Sequence, residues 1–280
     1  MMAANWTAKV GIPDDRATGS WSQVGGLSGR SPPLLSPSLL AAIERDVRAA
    51  APDEACGFVM PDGWRAVANV HPEPRWHFRI TAADYLAAGT ALALVHSHVV
   101  EDAFDRRRYP SGHFPHCPTL RDMQGQLDTA LPWGIVVSDG AHVGPPFFWG
   151  DFILDEPLLG RPFRHGVDDC YSAIRKWYWQ ERQVLLPEFP RAPDWWFGTD
   201  ELYLDGYARA GFRRLGVDEP PALGDVGLTR IGGRDVKVIN HGFVHLGDGT
   251  VYHHLPGRLA RRDAVGGSLR QVTHWLRFAA

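Results

Sequence analysis

The sixteen residues NHGFVHLGDGTVYHHL at positions 240–255 leave the chain little choice but an antiparallel hairpin. Two apolar-rich runs, Asn240–Leu246 and Thr250–Leu255, flank Gly247-Asp248-Gly249. Glycine supplies the positive φ that a tight reversal demands. Once the strands pair, side chains alternate between the two faces, so turn length decides which residues stand together. A three-residue turn puts His241 on one face with His253, whereas a two-residue turn would choose His254. The Gly-Asp-Gly sequence favours the longer turn and hence His253.

Upstream, Cys170 follows Asp168 and Asp169 at the start of a helical run, Asp168–Glu181. Unpaired N–H groups and the positive end of the helix dipole at such a position favour a thiolate, while the two aspartates oppose it unless they face away. His241, at the start of the hairpin, is a candidate proton acceptor for the thiol, and a second histidine on the return strand could orient it. Taken singly, a cysteine at a helix start is more often a small buried residue, and a hairpin histidine more often structural. Their combination, with the helix first and the strands after, points to a nucleophile and its base.

The rest of the chain divides in two, as its 280 residues suggest. Residues 1–34 are rich in Gly, Ser and Pro and read as a flexible arm. Ser36-Pro37 then caps a helix carrying Leu39, Leu40, Ile43 and Val47 on one face. Cys56–Met60 and Trp64–Val70 read as strands joined at Pro61-Asp62-Gly63, followed by a helix over Thr81–Gly89, a strand over Leu92–His98, a helix over Thr119–Ala130 and a buried strand over Trp133–Val137. Residues 35–150 are therefore expected to form an α/β or α+β unit. In residues 151–280 the helix bearing Cys170 is followed by a Pro- and Trp-rich loop at 186–198, a helix over Glu201–Gly211 and strands from Asp225 to Arg277, an α+β pattern.

A second constellation lies in the first half. VHSH places His96 and His98 two residues apart, on the same side of an extended strand, where both imidazoles can reach one metal ion. Asp122 could add a carboxylate, and Glu54 could take a proton from a metal-bound water. Three protein ligands and one open position are the arrangement of a catalytic zinc. A lone HxH is otherwise commonly structural. Between these residues, EDAFDRRRYPSGHFPHC reads as an exposed loop, and its His113, His116 and Cys117 as loop residues or a separate zinc clip. Cys56 reads as a small core residue, and Trp177, Trp179, Trp195 and Trp196 as packing rather than a sugar-stacking surface. Arg258, Arg261 and Arg262 read as a solvated basic stretch.

The segments GRPFRHGVDDCYSAIRKWY, LYLDGYARAGF, GDVGL and NHGFVHLGDGTVYHHLPGRLARRD together resemble the NlpC-type cell-wall cysteine peptidases, with Tyr171 standing where many relatives have Ser. The resemblance implies a papain-like α+β domain with Cys170 as nucleophile, His241 as base and His253 as orienting residue. It also implies cleavage of peptidoglycan stem peptides next to D-glutamate and diaminopimelate. Residues 53–139 resemble JAMM/MPN metalloproteases, whose Glu, HxH and Ser-x-x-Asp pattern falls on Glu54, His96, His98 and Asp122. Thr119 takes the place of Ser, supplying the hydroxyl for transition-state support, and the stretch from His98 to Asp122 is longer than in that family. This resemblance implies a mixed sheet with flanking helices and one zinc ion.

The order of the two halves, together with CPTLRDMQGQLDTALPWGIVV, is similar to tail tip assembly proteins of long-tailed phages. That likeness implies a peptidoglycan hydrolase at the virion tail tip, with tail tip and hub proteins as partners. Other readings are a structural tail component with degenerate sites and a bacterial wall-remodelling peptidase. A net charge of -3 gives no electrostatic case for nucleic acid. No run approaches the ~20 apolar residues of a membrane span. MMAANWTAKVGIPDD lacks the basic and apolar regions of a secretory signal, so synthesis in a host cytoplasm is expected. Three widely spaced cysteines argue against a disulfide framework.

Overall fold

The first helix begins where its capping chemistry dictates: the Ser36 hydroxyl accepts from the Leu39 N–H at 3.1 Å, and proline fills the first helical position. This is a computed structural model, and it describes residues 34–100, 116–265 and 271–279. The expected arm, up to residue 33, and His113 lie outside the described residues. Helix α1 (Pro37–Ala50) buries Leu39, Ile43 and Val47 against Val59, Ala93, Val95 and Val136 on one face of a sheet.

That sheet has the order β2-β1-β3-β4-β5, formed by β1 (Cys56–Met60), β2 (Gly63–Val67), β3 (Ala93–Val99), β4 (Trp133–Ser138) and β5 (Phe147–Trp149). Only β3 and β4 run parallel, so a crossover is needed between them, and it carries helix α3 (Leu120–Thr129). A short helix α2 (Ala82–Ala87), capped by Thr81, precedes β3. Strand β2 stops at Val67, short of the expected Val70. There the Asn69 amide donates to the carbonyls of Glu54, Pro74 and His77, and these bonds take the place of the strand ladder. The face opposite α1 packs Phe58, Leu94, Ile135 and Trp133.

The second sheet is antiparallel throughout, in the order β10-β9-β8-β7-β11-β6. Its strands are β6 (Phe212–Arg214), β7 (Val226–Thr229), β8 (His241–His245), β9 (Thr250–His253), β10 (Arg261–Ala264) and β11 (Val272–Phe278). Helix α4 (Cys170–Arg182) packs Ala173, Ile174, Trp177 and Tyr178 into the core it shares with β7 and β8. Helix α5 covers only Leu202–Gly206, shorter than the expected Glu201–Gly211. Beyond it, i→i+3 bonds from Ala210 to Tyr207 and from Gly211 to Ala208 tighten the chain into turns, which end at Gly211 with φ +85°.

The two sheets are not joined by a bare linker. Phe152, Ile153 and Val167 belong to the core of the first sheet, whereas Leu158 packs against that of the second. Among the described residues, no helix is long and apolar enough to cross a membrane.

Candidate functional site

Cys170 is the first residue of α4 because Asp169 caps that helix, its carboxylate accepting from the N–H groups of Tyr171 and Ser172 at 3.1 and 3.0 Å. Neither aspartate is free. Asp169 is buried and ion-paired with Arg191 at 2.8 Å, and Asp168 pairs with Lys176 and Arg161. The sulfur of Cys170 lies 3.8 Å from the Asn240 carbonyl oxygen, with the Gly242 N–H close enough to favour its charged form. It therefore rests against the peptides on either side of His241. The Tyr203 hydroxyl donates to it at 3.2 Å.

The hairpin turn has the three-residue form: Leu246 N–H reaches Thr250 O, and His245 pairs with Val251. His241 and His253 consequently share a face, with His241 Nε2 3.2 Å from His253 Nδ1. His254 turns away and bonds to the Arg258 carbonyl at 3.2 Å. Beyond His253 stands Asp263 on β10, its Oδ2 3.0 Å from His253 Nε2 and also held by Arg261.

This chain of contacts sets the proton positions. An ionised Asp263 only accepts, so His253 carries its proton on Nε2 and leaves Nδ1 as an acceptor. His241 then donates from Nε2, which leaves its own Nδ1 unprotonated and able to take a proton. These tautomers follow from the bonding pattern. Burial first, and then His253 and His254, push the His241 imidazole down to about 3. Burial first, and then Asp169, push the Cys170 thiol up to about 11. The helix start does not leave this cysteine acidic. Its resting partner pair is a neutral thiol and a neutral imidazole.

Both groups line a cavity of about 550 Å³. Its walls include Trp195, Trp196 and Arg191 from the 186–198 segment, which sequence reasoning set aside as packing or loop. His116 and Cys117, from the first half, reach the same cavity. Tyr203 and Asp263 were not anticipated. Each reaches the site through a strand register or helix placement that no local motif encodes.

In the first sheet, His96, His98 and Asp122 converge, their ligand atoms all within 4.8 Å of one another. The two Nε2 atoms are 3.0 Å apart, and each lies 3.4 Å from an Asp122 oxygen. A tetrahedral ion with bonds of ~2.0–2.1 Å has ligand–ligand edges of about 3.3–3.4 Å, so the triangle is of the size a zinc ion requires. All three residues are buried. Phe78 stacks on His96 with ring centroids 4.3 Å apart and fixes its plane. Burial opposes ionisation of Asp122, yet the two imidazoles beside it hold its carboxyl well below the usual range. Burial depresses His96, keeping it neutral as a ligand must be.

Cys56 pairs with His96, and the bonds between Ala55 and Ser97 continue that register, so Glu54 stands level with His98 on the same face. It is buried. Thr119 caps α3: its hydroxyl oxygen accepts from the Asp122 N–H at 3.2 Å, while the Asp122 carboxylate accepts from both the Thr119 hydroxyl and the Thr119 N–H at 2.7 Å. Burial, with Glu54 adding, raises the Cys56 thiol to about 12, and the thiol donates to the Val67 carbonyl. That bonding suits a core residue.

Fold and sites thus define an α+β protein with a cysteine–histidine–histidine centre on one sheet and a His–His–Asp cluster on the other. The chain is 32% identical over 198 residues to tail tip assembly protein K of Escherichia phage lambda, a match covering 69% of this chain and 85% of that protein. It is 30% identical over 242 residues to tail tip assembly protein K of Escherichia phage N15, covering 83% and 90%. The chain belongs to this family of tail tip assembly proteins. No family model matches it. A solved protein from Desulfitobacterium hafniense aligns over 40% of this chain and 78% of its own, at 20% identity and a TM-score of 0.29, too distant to carry an argument.

Proposed function

We propose that this chain is a phage tail tip peptidoglycan hydrolase whose cysteine site cuts cell-wall stem peptides. The observation that carries the reading is the relay of His241, His253 and Asp263 beside a cavity that Cys170 also lines, its sulfur resting against the peptide that precedes His241. In this mechanism His241 Nδ1 takes the Cys170 proton as the sulfur attacks the scissile carbonyl carbon. The tetrahedral intermediate then collapses, the C–N bond breaks, and His241 returns the proton to the leaving amine. Water, deprotonated by the same imidazole, releases the acyl group from sulfur. His253 holds the ring of His241 and supports the charge it gains.

His96, His98 and Asp122 are proposed to hold one zinc ion in the first half. A zinc ion bound there supplies Lewis acidity. Glu54, buried level with His98, would hold or move a proton beside it. Since the Thr119 hydroxyl is engaged by Asp122, this half is assigned metal binding, and peptide cleavage is assigned to the cysteine site. Tail tip and hub proteins of the virion are the proposed partners.

Digestion of purified diaminopimelate-type peptidoglycan, with products identified by mass, tests the reading. Release of stem fragments by the wild type and not by Cys170→Ala is expected. Equal release by both would remove Cys170 as nucleophile. No release by either folded protein would favour a structural role in the tail.

A further inference from the structure

Burial and the Asp169 carboxylate both oppose a negative charge on Cys170, so the site needs donors aimed at the sulfur if it is to react. The Tyr203 hydroxyl donates to it at 3.2 Å, and the nearby Gly242 N–H also favours its charged form. Tyr203 is not a loose neighbour. Its ring packs edge-on to Tyr171 at 6.3 Å and tilted against Trp195 at 6.4 Å. Its hydroxyl and ring edge also fill the space that a side chain at residue 242 would need, 3.1 Å from where a Cβ would stand. Glycine at 242 thus lets both donors approach one sulfur.

We propose that Tyr203 is a catalytic residue of the cysteine site, its phenol holding the Cys170 sulfur as the thiolate that attacks. The proposal rests on Cys170 being the nucleophile. The phenol keeps its proton throughout. The thiol proton goes to His241, the S–C bond forms as the carbonyl π pair moves to oxygen, and the Tyr203 hydrogen bond shortens as charge builds on sulfur before attack. Burial first, and then the adjacent sulfur, hold the Tyr203 phenol well above its ordinary range, so it remains a donor at any pH at which the enzyme would work. A hydrogen bond to a charged sulfur is worth about tenfold or more in the thiol–thiolate equilibrium.

The test is the pH dependence of Cys170 alkylation by iodoacetamide, read by mass spectrometry on the Cys170 peptide, in wild type and Tyr203→Phe. Phenylalanine keeps the ring and its packing, and near-UV circular dichroism verifies the fold. Tyr203→Phe should shift the alkylation profile to higher pH and slow alkylation at pH 7 by about tenfold. Stem-peptide release should fall in parallel through kcat with KM little changed. Superimposable alkylation profiles from folded proteins would overturn the proposal. The profile does not depend on any substrate, so it separates this outcome from failure of the peptidase reading, which would appear as undiminished stem release by Cys170→Ala. Tyr203→Leu, which also removes the ring, should match Tyr203→Phe in the profile. A larger shift in Tyr203→Leu with none in Tyr203→Phe would assign the effect to packing and overturn the hydroxyl's role.

Discussion

Asp263 Oδ2 lies 3.0 Å from His253 Nε2, on the strand that pairs with the strand of His253. Because His253 Nδ1 faces His241 at 3.2 Å, one carboxylate at the sheet edge decides which nitrogen of His241 is left unprotonated. Asparagine at 263 can present its amide N–H to His253 Nε2 and reverse both tautomers. Asp263→Asn should therefore lower kcat for stem-peptide release by about 10- to 100-fold, the scale on which outer partners of functional histidines act. Asp263 is a third exposed, so thermal stability should change little. An unaltered kcat would end the proton relay at His253.

Metal content tests the first sheet. Purified wild-type protein should carry about one zinc per chain by elemental analysis, and His96→Ala and Asp122→Asn should lose it. Since a ligand that binds only the folded state stabilises it, a chelator should lower the melting temperature of the wild type and leave that of His96→Ala unmoved. Equal zinc in all three proteins would exclude these residues as ligands.

Gly166 ties the two sites mechanically. It has φ +73°, and its N–H donates to Asp169 Oδ2 at 2.8 Å, just before Cys170. A Cβ there would meet Pro118 Cγ at 3.0 Å and Met123 Sδ at 3.1 Å, next to Asp122 in the chain. Gly166→Ala should cost about 1–3 kcal/mol from left-handed backbone strain and overpacking, measured as a lower urea midpoint. An unchanged midpoint would mean that the 161–168 segment can yield without cost.

Stability should fall on mild acidification. His241 and His165 are both buried, and burial lowers them to about 3 and about 4. Below the ordinary histidine value of ~6.5 the unfolded chain binds protons that the folded chain refuses, so folding weakens as pH drops toward those lower values. Their stabilising contribution is complete above ~6.5 and is lost between there and the folded values. Thermal midpoints should decline from pH 7 to pH 5, where most carboxylates are still ionised. A flat profile across that interval would contradict neutral burial of these histidines.

The sequence by itself determined the local pieces. Ser36-Pro37 and Thr119 mark helix starts because capping is a short-range matter of one side chain and the N–H three residues on. Gly-Asp-Gly set the hairpin register, and with it the pairing of His241 with His253, because strand faces alternate with a period of two. VHSH put two imidazoles on one side of β3 for the same reason.

Tertiary structure alone decided what joined them. Asp122 meets His96 and His98 only because α3 crosses back to lay β4 parallel to β3. Asp263 reaches His253 through the pairing of β10 with β9, and Tyr203 reaches Cys170 across 33 residues from a separate helix. Arg191 neutralises Asp169 from a segment whose sequence reads only as loop. Burial, which raises the thiol of a helix-start cysteine, is likewise a property of the assembled core. Desolvation depends on every atom packed around the sulfur, and no stretch of sequence near residue 170 records it.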